Sequence, residues 1–196
     1  MVEEQGVRPP SPEETERLQA VAEEVRRASR EARLLPLAEV AQQFAPEEPG
    51  RLGELLDVGA WPEDLVGSRP ADLRVVSAGD RNYLYSEAFM TQRYAETAAL
   101  IMAGDRLRLI AATVRYDSAT YPRPTPAAVF TGDPYHLTAE ELKAAVSALA
   151  GEEQYSDIQT VRASDGSLYL FSTAHLSRDH AQALAEWEAV GQFLSP

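Results

Sequence analysis

The stretch that decides the fold is Asp72–Ala99, DLRVVSAGDRNYLYSEAFMTQRYAETAA, set against Asp157–Ala185, DIQTVRASDGSLYLFSTAHLSRDHAQALA. With one residue of slack at the turn, the two segments share Asp72/Asp157, Val76/Val161, Ala78/Ala163, Asp80/Asp165, Tyr83/Tyr169, Leu84/Leu170, Ser86/Ser172, Ala88/Ala174, Ala95/Ala181 and Ala99/Ala185. Each reads as strand, polar turn, strand, cap and helix. In the second copy Asp165-Gly166 sits between apolar runs, a strong hairpin signal. Thr91 and Ser177 stand where the helix caps belong.

Working outward, Leu107–Tyr116 carries an almost continuous apolar run (Leu109, Ile110, Ala111, Ala112, Val114) and is expected to be a central strand covered on both faces. Ala127–Thr131 reads as a short strand. Thr138 and Glu141 form a capping box for a helix bearing Leu142, Ala145, Val146 and Leu149. The order ββαβ, loop, βα, ββα predicts an α+β fold. Its sheet is mostly antiparallel (mixed), built from two pseudo-repeated ββα units with flanking helices and preceded by an N-terminal helical segment.

Upstream of Pro70 the pattern is helical. Ser11, Pro12 and Glu14 make a helix start, and Leu18, Val21, Ala22, Val25 and Ala28 share one face. A second helix restarts at Pro36, a short one lies near Leu52–Leu56, and a turn falls at Trp61–Leu65. The expected organisation is a disordered tail over 1–10, an N-terminal helical segment over 11–69, and an α+β domain over 70–196 with repeats at 72–104 and 157–191. The N-terminal helices would pack on that body or leave an apolar stripe for a partner.

The chain has 196 residues, 44% hydrophobic and 25% charged, with a net charge of −13 and no cysteine. The absence of cysteine excludes disulfides and thiol chemistry by this chain. The acidity works against a phosphate backbone as partner, so no nucleic acid is expected. The acidic start has no basic n-region and no apolar h-region, which argues against a signal peptide, and no run approaches membrane-spanning length. These features point to the cytoplasm. Arginine outnumbers lysine seventeen to one, which reads as coding bias rather than a site.

The candidate site is the segment Arg115–Pro126, read as a proline-stiffened loop at a strand end, where sites commonly sit. Arg115, Asp117, Tyr121 and Arg123 would bind an anionic ligand there, with His175 or His180 as acid or base. The competing reading is a rigid connector in which Arg115 pairs with Asp117 and the tyrosines pack. His175, Asp179 and His180 match no metal-ligand spacing, so neither a metal nor a cofactor is expected. Tyr83, Tyr85, Tyr169 and Phe171 suit either a core face or a platform for a flat ligand. There is no GxGxxG, P-loop, HExxH or GxSxG. Lys143, the single lysine, is placed on an exposed helix face, which argues against Schiff-base chemistry.

With no catalytic motif present, the sequence favours a non-enzymatic accessory or adaptor protein of the bacterial cytoplasm, engaging a protein partner or itself. The alternative is a small-molecule-binding enzyme or ligand sensor using the 115–126 segment.

Overall fold

A computed structural model describes residues 8–48, 50–56 and 69–191. Residues 1–7 of the expected tail and the expected turn at Trp61–Leu65 lie outside the described residues. The chain clusters into two compact units, Met1–Ala103 and Gly104–Pro196. Among the described residues no helix is long and apolar enough to cross a membrane.

In unit 1, α1 (Pro12–Arg30) is followed by β1 (Leu35–Pro36), α2 (Leu37–Phe44) and α3 (Arg51–Leu56). The hairpin β2 (Leu73–Ala78) and β3 (Arg81–Ser86) and the helix α4 (Gln92–Ala103) complete it. The Ser11/Glu14 capping box forms as expected. The sheet order is β1-β3-β2, all antiparallel, with Leu35 opposite Leu84 and Pro36 opposite Tyr83. Gly79 supplies the positive φ of +64° that the two-residue turn requires. The apolar stripe of α1 is not left for a partner. Leu18, Ala22 and Val25 are fully buried with Phe44, Leu52, Leu55, Leu73 and Leu84.

Unit 2 has the same plan. Its helix α5 (Arg106–Thr120) leads to β4 (Thr125–Pro126), a 3-10 turn (Ala127–Thr131) and α6 (Ala139–Leu149). The hairpin β5 (Ile158–Arg162) and β6 (Leu168–Ser172) and the helix α7 (Arg178–Glu186) follow. The sheet order is β4-β6-β5, again antiparallel, with Thr125 opposite Leu170 and Pro126 opposite Tyr169. The fold is therefore α+β, with two three-stranded antiparallel sheets flanked by helices.

Two sequence expectations are corrected. Leu107–Tyr116 is not a strand. It lies within α5, whose N-cap Asp105 accepts a hydrogen bond from the Arg108 N–H. The helix is buried around much of its circumference (Leu109, Ile110, Ala111, Thr113, Val114, Ser118), and a helix buried that widely loses the periodic contrast that identifies it. Ala127–Thr131 is a 3-10 turn, and the strand is the dipeptide just before it.

One constellation ties helix to hairpin in both units. Arg26 donates from Nε and Nη2 to the Asp72 carboxylate at 2.9 and 2.5 Å. The Ser86 hydroxyl donates to the same carboxylate at 2.6 Å. The Ser86 backbone N–H donates to Ser29 Oγ at 2.9 Å. In unit 2, Arg115 donates to Asp157 at 3.0 and 2.6 Å. The Ser172 hydroxyl donates to Asp157 at 2.7 Å, and the Ser172 N–H donates to Ser118 Oγ at 3.1 Å. The spacing Arg-x-x-Ser puts both helix groups on one face.

Losing the guanidinium leaves a partly buried carboxylate uncompensated, which costs about 1–3 kcal/mol. Arg26→Met should lie at the upper end of that range and Arg115→Met at the lower, because their side chains are 23% and 40% exposed. Denaturant titration checks the order. Hydrogen exchange should show lost protection in the hairpin of the same unit. Arg26 holds the Asp72 carboxyl down at about 2, from an ordinary 3.8. A depressed acid contributes its full stability above its unfolded pKa and loses it as pH falls through the folded one. Stability should therefore decline between about pH 4 and pH 2, and Asp72→Asn should flatten that decline in an acid-unfolding series.

Candidate functional site

The segment expected to be a loop is helical as far as Thr120, and this separates its polar residues. Arg115 points to the hairpin, where it pairs with Asp157 and donates to the Gln154 carbonyl at 2.8 Å. Its guanidinium lies 5.7 Å from the centre of the Tyr155 ring. The Asp157 carboxyl is held below the ordinary carboxylate range, chiefly by that guanidinium. Arg115 does not pair with Asp117, as the connector reading required. Asp117 instead accepts from the Thr125 hydroxyl at 2.9 Å, tying the end of α5 to β4. Both residues thus hold unit 2 together.

Tyr121 and Arg123 are brought together. Tyr121 caps α5, its N–H donating to the Asp117 carbonyl at 2.9 Å. The residue is 54% exposed. It packs edge-on against Tyr116, with centroids 6.1 Å apart and planes at 79°. Arg123 lies 5.1 Å from the Tyr121 ring centre. Hydrogen bonding to Tyr116 pushes the Tyr121 hydroxyl up from its usual value. The result is a surface group of two aromatic rings and a stacked cation. It offers apolar contact and charge, with no nucleophile–base pair.

His175 and His180 are exposed at the start of α7. The His175 N–H donates to the Ser172 carbonyl, and the His180 N–H donates to the capping Ser177 hydroxyl at 3.3 Å. Both of these bonds run to residues outside Arg115–Pro126. Among the described residues no group of three His, Cys, Asp or Glu side chains is placed to hold a metal ion. Tyr83, Tyr85, Tyr169 and Phe171 are buried residues of the core.

The sequence alone does not reveal the partner of Arg115, Asp157, or the bonds of Ser172 to Asp157 and Ser118 that complete the constellation. Asp157 and Ser172 were visible as repeat identities, but a strand at 107–116 gave them no helix to bind. The Tyr121–Arg123 pair should behave differently from Arg115. Tyr121→Ala and Arg123→Ala should leave the unfolding free energy within about 0.5 kcal/mol of the parent, as exposed substitutions do. A larger drop in a parallel melt would make them structural.

The model of the YdhW C-terminal domain family matches residues 104–193, which is unit 2. The chain is also similar to the Escherichia coli (strain K12) "Uncharacterized protein YdhW", at 34% identity over 126 residues. That alignment covers 64% of this chain and 59% of the E. coli protein. Its 126 residues exceed the length of unit 2, so the similarity runs back into unit 1. The chain spans less than two thirds of that relative's length. No solved structure matches.

Proposed function

We propose that this chain is a non-enzymatic accessory or adaptor protein of the cytoplasm that works by contact with a protein partner or a second copy of itself. One observation carries the reading. The polar side chains Arg115 and Asp117, best placed for chemistry, are engaged in holding unit 2 together, while large aromatic side chains stay exposed. Tyr116, Tyr121, Phe89, Tyr94 and Trp187 are between 39% and 61% exposed. Amphipathic rings such as Tyr and Trp, and Arg, are the residue types that supply contact energy at protein interfaces. Arg123 stacked on Tyr121 and Arg30 lying 4.3 Å from the Phe89 ring centre give two such groups, one in each unit.

The surface for contact is therefore not the apolar face of the N-terminal helix, which is buried. The net charge of −13 keeps the free protein soluble and favours partners with complementary positive surface.

Light scattering coupled to size exclusion, run over a hundredfold concentration range, tests self-association. Cross-linking in cells followed by peptide identification tests a heterologous partner. Cross-links clustered around Tyr116–Arg123 or Phe89–Tyr94, and lost in Tyr121→Ala or Phe89→Ala, are the expected result. A monomer at every concentration with no specific cross-link would overturn the reading.

A further inference from the structure

The repeat places a recess at the same position in each unit. In unit 1 a cleft of about 840 Å³ is bordered by Pro36, Leu37, Ala38, Tyr83 and Met102. In unit 2 a cleft of about 830 Å³ is bordered by Pro126, Ala127, Ala128, Tyr169 and Ala189. Pro36 and Pro126 face Tyr83 and Tyr169 in the same register. The cause is shared. The short edge strand ends at a proline, the chain turns into a helix, and the middle strand continues past it. The space between is closed on one side by the residues at the end of the last helix. Both clefts fall in the size range of ligand sites.

Their charges differ. The unit 1 cleft carries Glu39 and Asp80 against Arg81. The unit 2 cleft carries Lys143 and Arg162 against Glu188. Lys143 is the single lysine of a chain with 31 acids. Arg162 donates to the Gly166 carbonyl at 3.1 Å. Neither cation belongs to an ion pair formed among the described residues, although most arginines of unit 1 do. Lys143, Val146 and Ser147 share one face of α6 and border the cleft together with Leu142 and Leu168.

We propose that the unit 2 cleft is a binding site for a small amphipathic carboxylate, its apolar body against Ala127, Leu142, Val146 and Leu168 and its carboxylate at Lys143 and Arg162. The unit 1 cleft, with an acidic rim, does not take such an anion. The site differs from the 115–126 segment and does not depend on the protein-contact reading above.

The test uses sodium octanoate and 1-octanol as matched probes of the full chain, followed by methyl NMR at neutral pH. Octanoate should shift the Leu142, Val146 and Leu168 methyl signals saturably, and octanol should bind about tenfold more weakly. Lys143→Gln with Arg162→Gln should bring octanoate down to the affinity of octanol. Both side chains are exposed, so the melting temperature should be unchanged, which separates lost binding from lost folding. Added salt should weaken octanoate and leave octanol unaffected. Equal affinity for the two probes, equal shifts around Leu37 and Met102, or no saturable shift would each overturn the assignment.

Discussion

The structure depends on the join between a helix and the hairpin that follows it much later in the chain. The middle strand of each sheet is covered on one side by a strand of only two residues. Beyond that cover lies the N–H of Ser86 or Ser172, in residues with no exposed surface. A buried N–H without a partner is strongly unfavourable. The hydroxyl of Ser29 or Ser118 accepts it, and the arginine three residues earlier on the same helix fixes the aspartate at which the hairpin begins. The serine on the strand completes the circuit by donating its own hydroxyl to that aspartate. Each group satisfies another, which is the condition under which polar groups can be buried at all. Arg115 is part of that circuit, its Nε and Nη2 both engaged in holding Asp157 and the Gln154 carbonyl.

Because the join occurs twice, positions shared by both units are explained by the scaffold, and functional difference belongs to positions where the units diverge. Phe89 and Tyr94 correspond to His175 and His180, and Ser77 corresponds to Arg162. The elaborations differ too. In unit 1, Arg51 is buried, its side chain 2% exposed, and it donates to Glu14, Glu54 and the Pro9 carbonyl. This fixes the start of α1 and α3 to one another, and Arg51 with the Ser11 N–H holds the Glu14 carboxyl down at about 2. In unit 2 the corresponding stretch is the well-capped α6, fixed to α5 by the Arg106–Glu141 ion pair at 2.6 Å. That helix brings Lys143 to the cleft.

The hairpins, both capping boxes and the buried face of α1 were legible because each has a local signature: a turn residue with positive φ, a Ser or Thr three residues before a Glu, an apolar stripe of helical period. What was not legible has a common origin. Reading α5 as a strand removed the counterpart of α1 and confined the repeat to its ββα portion. Treated as a helix begun by Gly104-Asp105, Arg115-x-x-Ser118 aligns with Arg26-x-x-Ser29, and Pro126 with Pro36. The length of the run, Leu107–Tyr116, was the usable clue, since buried strands are shorter. The candidate site inherited the same error. A loop places Arg115, Asp117, Tyr121 and Arg123 together, whereas a helix points the first two into the fold and leaves the last two at its exposed end.

The excess of arginine has a physical component at some positions. Arg26 and Arg115 each present Nε and Nη2 to both oxygens of one carboxylate, a fork that an ammonium group cannot reproduce. Arg51 satisfies four acceptor oxygens from a buried position, again beyond three rotating N–H bonds on a flexible stem. Elsewhere, as in the exposed Arg33–Glu31 and Arg74–Glu87 pairs, lysine would serve about as well. Lys143 is the complementary case. It stands where no carboxylate of the described fold demands a planar fork, and a compact charge on a long apolar stem suits the rim of an apolar cleft. Arg26, Arg51 and Arg115 thus stand where the fold must be held, and the single lysine stands where the described fold makes no such demand.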